Sequence, residues 1–461
     1  MIWLGGLVIL MKTRYKINNY ILAGIPLTLF VFFTFFDGYV WCVDSPTYVN
    51  MTIDREPIYP LFLLFFRMIF KKEEVYLLVA VLFQGLLMAY AIYSFSKYIT
   101  DKFKMNIFEG IFIECIFLTV SLLCRFAAKR GSMYSNSILS ESLAYPLFVL
   151  FFRYLLQYLY DNDNKSLIIA SALSFVLIST RKQMYLSLFL LIIVFVYQMI
   201  TTRRSKDIYK ILIICLLVIG SNKLLDYTYN YAIRGLKATH TSGDRFPATV
   251  VFYCSTTDNA SSIQDAETRT IFMKVSNECD KKGLLKTNTN GGWYEYAMHF
   301  CDNYDLIQLH NMWPMEKDYV LSLHNVNDNE AEVIVDSYNK IIIRSLVPKV
   351  WPVILHTFAC NFLLGLMTTV AAVKSVFKYY MYFICLSYLT LLITYLVKKK
   401  EDDTTKLSVI VFLSVVMNVG IVSMVIFPQT RYTIYNMGLF YTAGFLMLKG
   451  LVKALKQPKK N

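Results

Sequence analysis

Charge is what this sequence has least of. Only 17% of its 461 residues are Asp, Glu, Lys or Arg, against about 25% in an average soluble chain. There is no Cys-x-x-Cys, no His-Glu-x-x-His and no clustered His/Cys set, so a dedicated structural metal site is not expected. Internal repeats and low-complexity tracts are missing too. The short apolar stretch Ile2–Met11 has no small-residue cleavage site after it and does not read as a cleaved signal peptide. What the chain does have is apolar sequence: 56% of residues are hydrophobic, with 34 Phe and 34 Tyr, and the mean hydropathy is +0.46. These residues lie in long runs that no globular surface could hide. A soluble enzyme, a fibrous protein, a disordered chain and an extracellular disulfide scaffold are excluded. The class expected is an all-α polytopic membrane protein.

A helix needs about 20 apolar residues to cross the hydrocarbon core. Ten runs qualify as spans: Tyr20–Phe36, Val75–Phe95, Ile107–Cys124, Leu139–Tyr158, Lys165–Thr180, Met184–Ile200, Ile211–Asn230, Tyr379–Val397, Leu407–Phe427 and Tyr435–Val452. The net charge of +14 reads as topology signal and lipid-headgroup contact, not nucleic-acid binding. Lys12, Arg14 and Lys16 precede the first span and place the N-terminus in the cytoplasm by the positive-inside rule. With ten spans, Lys97, Lys102 and Lys104, then Arg203, Arg204, Lys206 and Lys210, then Lys398, Lys399, Lys400 and Lys406 all fall inside. So does the tail with Lys449, Lys453, Lys456, Lys459 and Lys460. Two more apolar stretches, Ile58–Phe70 and Trp351–Val373, must then stay on the outer side as interfacial helices.

This gives three regions. Residues 1–230 form an N-terminal membrane module with a first outer loop at 37–74. Residues 231–349 form an extracytoplasmic domain of mixed structure, with turn clusters at Thr241–Asp244 and Asn288–Gly292 and a helical patch at Glu330–Arg344. Residues 350–461 form a C-terminal membrane module. A pair among Cys254, Cys279 and Cys301 suits a disulfide if that compartment is oxidising, and free buried thiols are the alternative.

The candidate chemistry sits at outer helix ends. The first outer loop packs Asp37, Asp44, Asp54, Arg55 and Glu56 between a span and an interfacial helix. A carboxylate held there has a raised pKa or a cationic partner, and either suits a general base acting on a hydroxyl. An ordinary solvated acidic loop is the alternative. Ser140-Glu141-Ser142 opens the fourth span, Thr180-Arg181-Lys182-Gln183 joins two spans on the outer side, and Arg431-Tyr432 lies in the last outer turn. Arg125, Lys129 and Arg130 add a second outer basic group. Basic residues forced to the outer side need an anionic partner, such as a lipid phosphate.

The run Asp44-Ser-Pro-Thr-Tyr48, followed by Arg55-Glu-Pro-Ile-Tyr-Pro60, resembles the first outer loop of the GT-C superfamily of membrane glycosyltransferases. It is most similar to bacterial relatives of protein O-mannosyltransferases and lipid A aminoarabinose transferases. Glu141, Arg181 and Arg431-Tyr432 look like that family's acidic and basic outer positions. Asp-Ser stands here where the mannosyltransferases have Asp-Glu, which leaves the sugar and the acceptor open.

The resemblance implies a polyprenyl-phosphate sugar donor and transfer to a glycan, lipid or protein hydroxyl at the outer face of a bacterial plasma membrane. Asp44 would be the inverting base, with Glu141 beside it. Arg55, Arg181, Lys182 and Arg431 would bind the donor phosphate, and Tyr48, Tyr59, His240, Arg245 and Tyr432 the substrates. No cofactor is implied, and a divalent cation is compatible with the reading. Two alternatives stay open. A lipid-linked polysaccharide polymerase or O-antigen ligase would use His240, His299, His310 and His324 of the large loop. A lipid or polysaccharide transporter would be expected to show related halves.

Overall fold

The computed structural model describes residues 2–127, 131–203, 208–368, 378–398 and 402–456. Lys129, Arg130, Arg204, Lys206, Lys399, Lys400, Lys459, Lys460 and residues 369–373 lie outside them, as do the side chains of Lys12, Arg14, Lys16, Arg125 and Lys456. Among the described residues the chain is 85% helical without a strand. One bridge, between Val40 and Ser137, is the nearest approach to a sheet.

The N-terminal half contributes α1 (Ile2–Asp37), α2 (Ser45–Val49), α3 (Ile58–Phe70), α4 (Glu73–Lys102), α5 (Ile107–Ala127), α6 (Ser140–Asp161), α7 (Asn164–Thr180), α8 (Tyr185–Thr201) and α9 (Ile208–Arg234). Then follow α10 (Ser242–Cys254), α11 (Ala266–Lys281), α12 (Trp293–Ile307), α13 (Trp313–Leu323) and α14 (Asp328–Thr368). The chain returns through α15 (Lys378–Lys398), α16 (Asp403–Val425) and α17 (Thr430–Lys456).

Among the described residues eight helices are long and apolar enough to cross a bilayer: α1, α4, α6, α8, α9, α14, α16 and α17. The fold is that of an all-α polytopic membrane protein. Seven of the eight coincide with expected spans; the eighth, α14, holds residues 351–368 of a stretch expected to stay interfacial. Of the other three, α7 and the apolar part of α15 are shorter apolar helices, and α5 covers the expected Ile107–Cys124. Lipid gives packed helices no hydrophobic drive toward one another, so close approach depends on small residues. Gly438 is one: a Cβ there would lie 2.5 Å from ring carbons of Phe117, where α17 meets α5.

The bundle has two distinguishable ends. At one, Lys102 at the close of α4 meets Asp161 at the close of α6 (2.9 Å) and Asp403 at the start of α16 (3.7 Å). Glu109 of α5 pairs with Lys449 of α17 at the same end (2.6 Å). The other end gathers Asp44, Glu141, Arg181 and Arg431.

Two expectations about the segment before α15 need correcting. Residues 231–349 were expected to be of mixed structure, yet their described backbone is helical. Apolar residues at helical spacing, such as Ile271, Phe272, Val275 and Cys279 of α11, are fully buried, and the polar clusters serve as starts and loops between helices. Nor does a boundary fall at 349/350. Helix α14 runs through it for 41 residues despite Pro348 and Pro352, because its later part buries Cys360 and Leu364 in the main hydrophobic core of the helix bundle. The Thr433 hydroxyl donates to the Thr368 carbonyl (3.1 Å), so α14 ends beside the first turn of α17, at the same end as Arg431. The core of the 231–349 segment likewise takes in Val422, Ile426 and Tyr432 from that end.

Candidate active site

The first loop is fixed before any charge is placed. The Val40 N–H donates to Asn136 (2.8 Å), and Val40 accepts from the Ile138 N–H (3.1 Å). The Ser45 hydroxyl donates to the Ile138 carbonyl (2.9 Å). Residues 40–45 are thereby laid along 136–138, the strip that leads into Ser140 and Glu141. Asp44 caps α2, with a proline in the first turn of that helix pre-set for the helical φ.

Both oxygens of Asp44 are taken. Oδ1 accepts from Arg55 Nη2 and Oδ2 from Arg431 Nη1, each at 3.1 Å. Arg55 is held in turn by Asp54 (3.4 Å) and by the Thr47 hydroxyl (2.7 Å). Behind them, Glu141 pairs with Arg181 at 2.6 Å and lies 3.9 Å from Arg431. Arg181 also donates to Ser140 (3.1 Å), whose hydroxyl is 2.9 Å from that of Tyr48. Tyr432 accepts from Arg431 at 2.6 Å and lies under the guanidinium of Arg181 (5.5 Å). Four sequence-distant segments thus close one polar knot.

The electrostatics are expensive. The Glu141 side chain is 2% exposed, and burying an ion costs several kcal/mol unless well paired. Glu141 in the first turn of α6 and Arg181 at the end of α7 gain from the helix dipoles, whereas Arg431 in the first turn of α17 is opposed by its own. Asp44 and Glu141 offset that. Burial alone would lower Arg55, but Tyr48, Asp54 and Asp44 outweigh it and hold the guanidinium firmly protonated. Burial pushes the Tyr48 phenol up to about 12, so it stays a neutral donor.

An adjoining cluster lies under the α7–α8 turn. Lys182 Nζ donates to Asn222 (3.0 Å) and is 4.0 Å from Asp226. His240 Nδ1 lies 2.6 Å from Asp226 Oδ2, and the His240 N–H donates to Oδ1 of the same carboxylate (3.1 Å). Lys182 also donates its backbone N–H to Glu56 (3.1 Å). Between the clusters, Gln183 donates to Asn418 (2.7 Å) and to the Tyr432 carbonyl (2.6 Å).

Of the expected site residues, Asp44, Glu141, Arg55, Arg181, Arg431, Tyr48 and Tyr432 come together. Lys182 and His240 form the neighbouring cluster. Two do not join. Tyr59 is fully buried and donates to Gln84 (2.9 Å), fixing α3 to α4. Arg245 pairs with Glu332 under the Trp313 ring, well inside the 231–349 segment. Cys254, Cys279 and Cys301 are free thiols, and Cys254 meets the Thr357 hydroxyl instead (3.5 Å).

Asp226 and Asp305 were missed, and Gln183 was noted only as part of its motif. Asp226 is an acidic residue inside an apolar run, which was signal enough. Asp305 is one of many acidic residues in a polar segment. Asp305 lies within electrostatic reach of Arg431 and Asp44, and partial burial raises its pKa against the pull of Arg431. Among the described residues no group of three His, Cys, Asp or Glu is arranged to hold a metal ion. No family model, no curated protein and no solved structure matches the chain.

Proposed function

We propose that the protein is a glycosyltransferase that moves a sugar from a polyprenyl-phosphate donor to a hydroxyl acceptor at the extracytoplasmic face of a bacterial plasma membrane. The observation that carries this reading is Asp44 bridging Arg55 and Arg431, with the Glu141–Arg181 pair behind it. Such a knot offers an acid–base group and, 3.1 Å away, cations for a phosphate leaving group. The acceptor oxygen attacks the anomeric carbon and its proton passes to Asp44. The bond from that carbon to the phosphate oxygen breaks, and the electron pair leaves on polyprenyl phosphate. Attack opposite the leaving group inverts the centre. Preorganised cations aimed at developing charge contribute most to such a step, and the reading gives that role to Arg431 and Arg181.

Ten spans, with α14 kept from crossing, and both termini inside complete the proposal. Lys102 and Lys449 meet acidic residues at the end opposite Asp44, which is the arrangement the positive-inside rule favours. A Lys398→Cys variant in a cysteine-free background tests this. It should resist an impermeant thiol reagent in intact cells, and ready labelling would overturn the orientation.

The activity test is incubation of purified protein with radiolabelled polyprenyl-monophosphate sugars and an envelope acceptor fraction, wild type beside Asp44→Asn. Transfer by wild type alone supports the reading. Transfer only from pyrophosphate-linked oligosaccharides moves the protein to the polymerase or ligase class.

A further inference from the structure

Arg153 lies within α6, a helix long and apolar enough to span. Among the described residues no carboxylate pairs with it, and its Nε is buried without a hydrogen-bond partner. What holds it is aromatic. The guanidinium carbon is 4.1 Å from the ring centre of Tyr154 and 5.4 Å from that of Tyr98 on α4, within the range of cation–π attraction. Stacking occupies the faces of a guanidinium and leaves its edge, which carries all its N–H donors. Two more polar atoms share the position. The Tyr98 hydroxyl and Gln157 Oε1 are buried without a partner, and Gln157 follows Arg153 by one turn on the same face of α6. Between Leu150 and Leu159 the helix is buried except at Arg153, Tyr154 and Gln157, so its surface opens at this cluster. Asp161 lies eight residues further along α6, and Lys102 four beyond Tyr98 on α4. By the helical rise the guanidinium is roughly 6–12 Å inside the Lys102–Asp161 pair, close to where headgroup phosphates give way to hydrocarbon. The acidic residues at that end are already engaged: Asp161 and Asp403 share Lys102, and Asp101 pairs with Lys97.

We propose that Arg153 binds the phosphate of an anionic phospholipid at the Lys102 end of the bundle. A charge at membrane depth is costly without a partner, and the described protein residues supply none. The edge of the guanidinium offers parallel N–H donors matched to two phosphate oxygens, and basic pockets between spanning helices suit such headgroups. The Tyr98 hydroxyl adds a donor. Gln157 Oε1 adds an acceptor one turn away, which suits a headgroup that carries hydroxyls. A zwitterionic lipid brings its own ammonium and leaves Arg153 uncompensated, so the lipid selected is one of net negative charge. The site lies at the opposite end of the bundle from Asp44, and its test needs no transfer assay.

The test is native mass spectrometry of purified, delipidated full-length protein with phosphatidylglycerol or phosphatidylcholine added at matched concentration. Wild type should hold one phosphatidylglycerol about tenfold or more tightly than phosphatidylcholine, the scale of a hydrogen bond to a charged group. Arg153→Gln should lose that margin. Lys453→Gln, which removes an exposed charge of α17 at the same end, should bind as wild type does. If Arg153→Gln fails to fold, Arg153→Lys takes its place: a point charge without the fork should bind phosphatidylglycerol several-fold more weakly. The inference is overturned by equal binding of the two lipids to wild type, by unchanged binding in the Arg153 variant, or by an equal loss in Lys453→Gln, which would mean bulk attraction. Displacement of the lipid by an equal concentration of inorganic phosphate would assign the site to the free anion and overturn it as well.

Discussion

The two ends of the bundle both carry ion pairs, and they differ in what surrounds the charges. At the Lys102 end the acidic partners Asp161 and Asp403 are 45% and 43% exposed. Such pairs are worth about 0–1 kcal/mol and act as fasteners between helix ends. At the Asp44 end, Glu141 is 2% exposed and Arg181 16%. Charges there could be replaced by apolar residues with little loss of stability, and the chain keeps them in a membrane setting where they are costly. One end uses charge to hold helices together. The other spends stability to hold charge in place, which is the mark of a site.

Cutting one pair at each end is the sharpest way to break this comparison. Arg181→Ala removes the 2.6 Å ion pair of buried Glu141, leaving Arg431 farther off at 3.9 Å, and should destabilise by about 3–5 kcal/mol. Lys102→Ala should cost under about 1 kcal/mol. Equal melting temperatures for the two variants would erase the distinction. Asp44→Asn keeps the shape of the knot and removes its proton acceptor, so transfer should fall at least about a hundredfold while the protein elutes as wild type. Near-normal turnover would sink the assignment of Asp44.

A third buried acid sharpens the contrast from the 231–349 segment. Burial pushes Glu316 from 4.5 up to about 8, with Arg245 opposing. Its proton is kept on folding and lost on unfolding between those values. Its contribution to stability is therefore full below 4.5 and lost as pH rises through about 8. Glu316→Gln should flatten that decline, read as melting temperature against pH. Parallel curves for the two proteins would contradict it. The effect on transfer should be the smallest of the set, since Glu316 touches none of the knot.

Much of this was legible in the sequence for physical reasons. Apolar length announces a membrane helix directly, and α3 occupies the same thirteen residues, Ile58–Phe70, as the expected interfacial stretch. Basic residues expected at outer helix ends would break a strong rule, so Arg181 and Arg431 stood out, and both meet carboxylates. Arg245 and Tyr59 carried no comparable signal: an arginine in a polar segment and a tyrosine in an apolar run are common, and tertiary packing decided their partners. Asp305 was hidden for the same reason. Nothing local distinguishes it from Asp302, and only the packing of α12 brings it within electrostatic reach of Arg431. The length of α14 was concealed by its change from polar to apolar halfway along, which reads as two elements and folds as one.

That helix is a rod of roughly 60 Å at 1.5 Å per residue, with Pro348 and Pro352 near its middle. Its polar half carries Glu332 and Asn339, bound to Arg245 and Glu316, and its far tip is tied to Thr433, two residues past Arg431. The 231–349 segment and the first turn of α17 beside the knot are therefore joined by one continuous helix. Whatever orients that helix orients both the Arg245–Glu332 pair and the backbone next to Arg431.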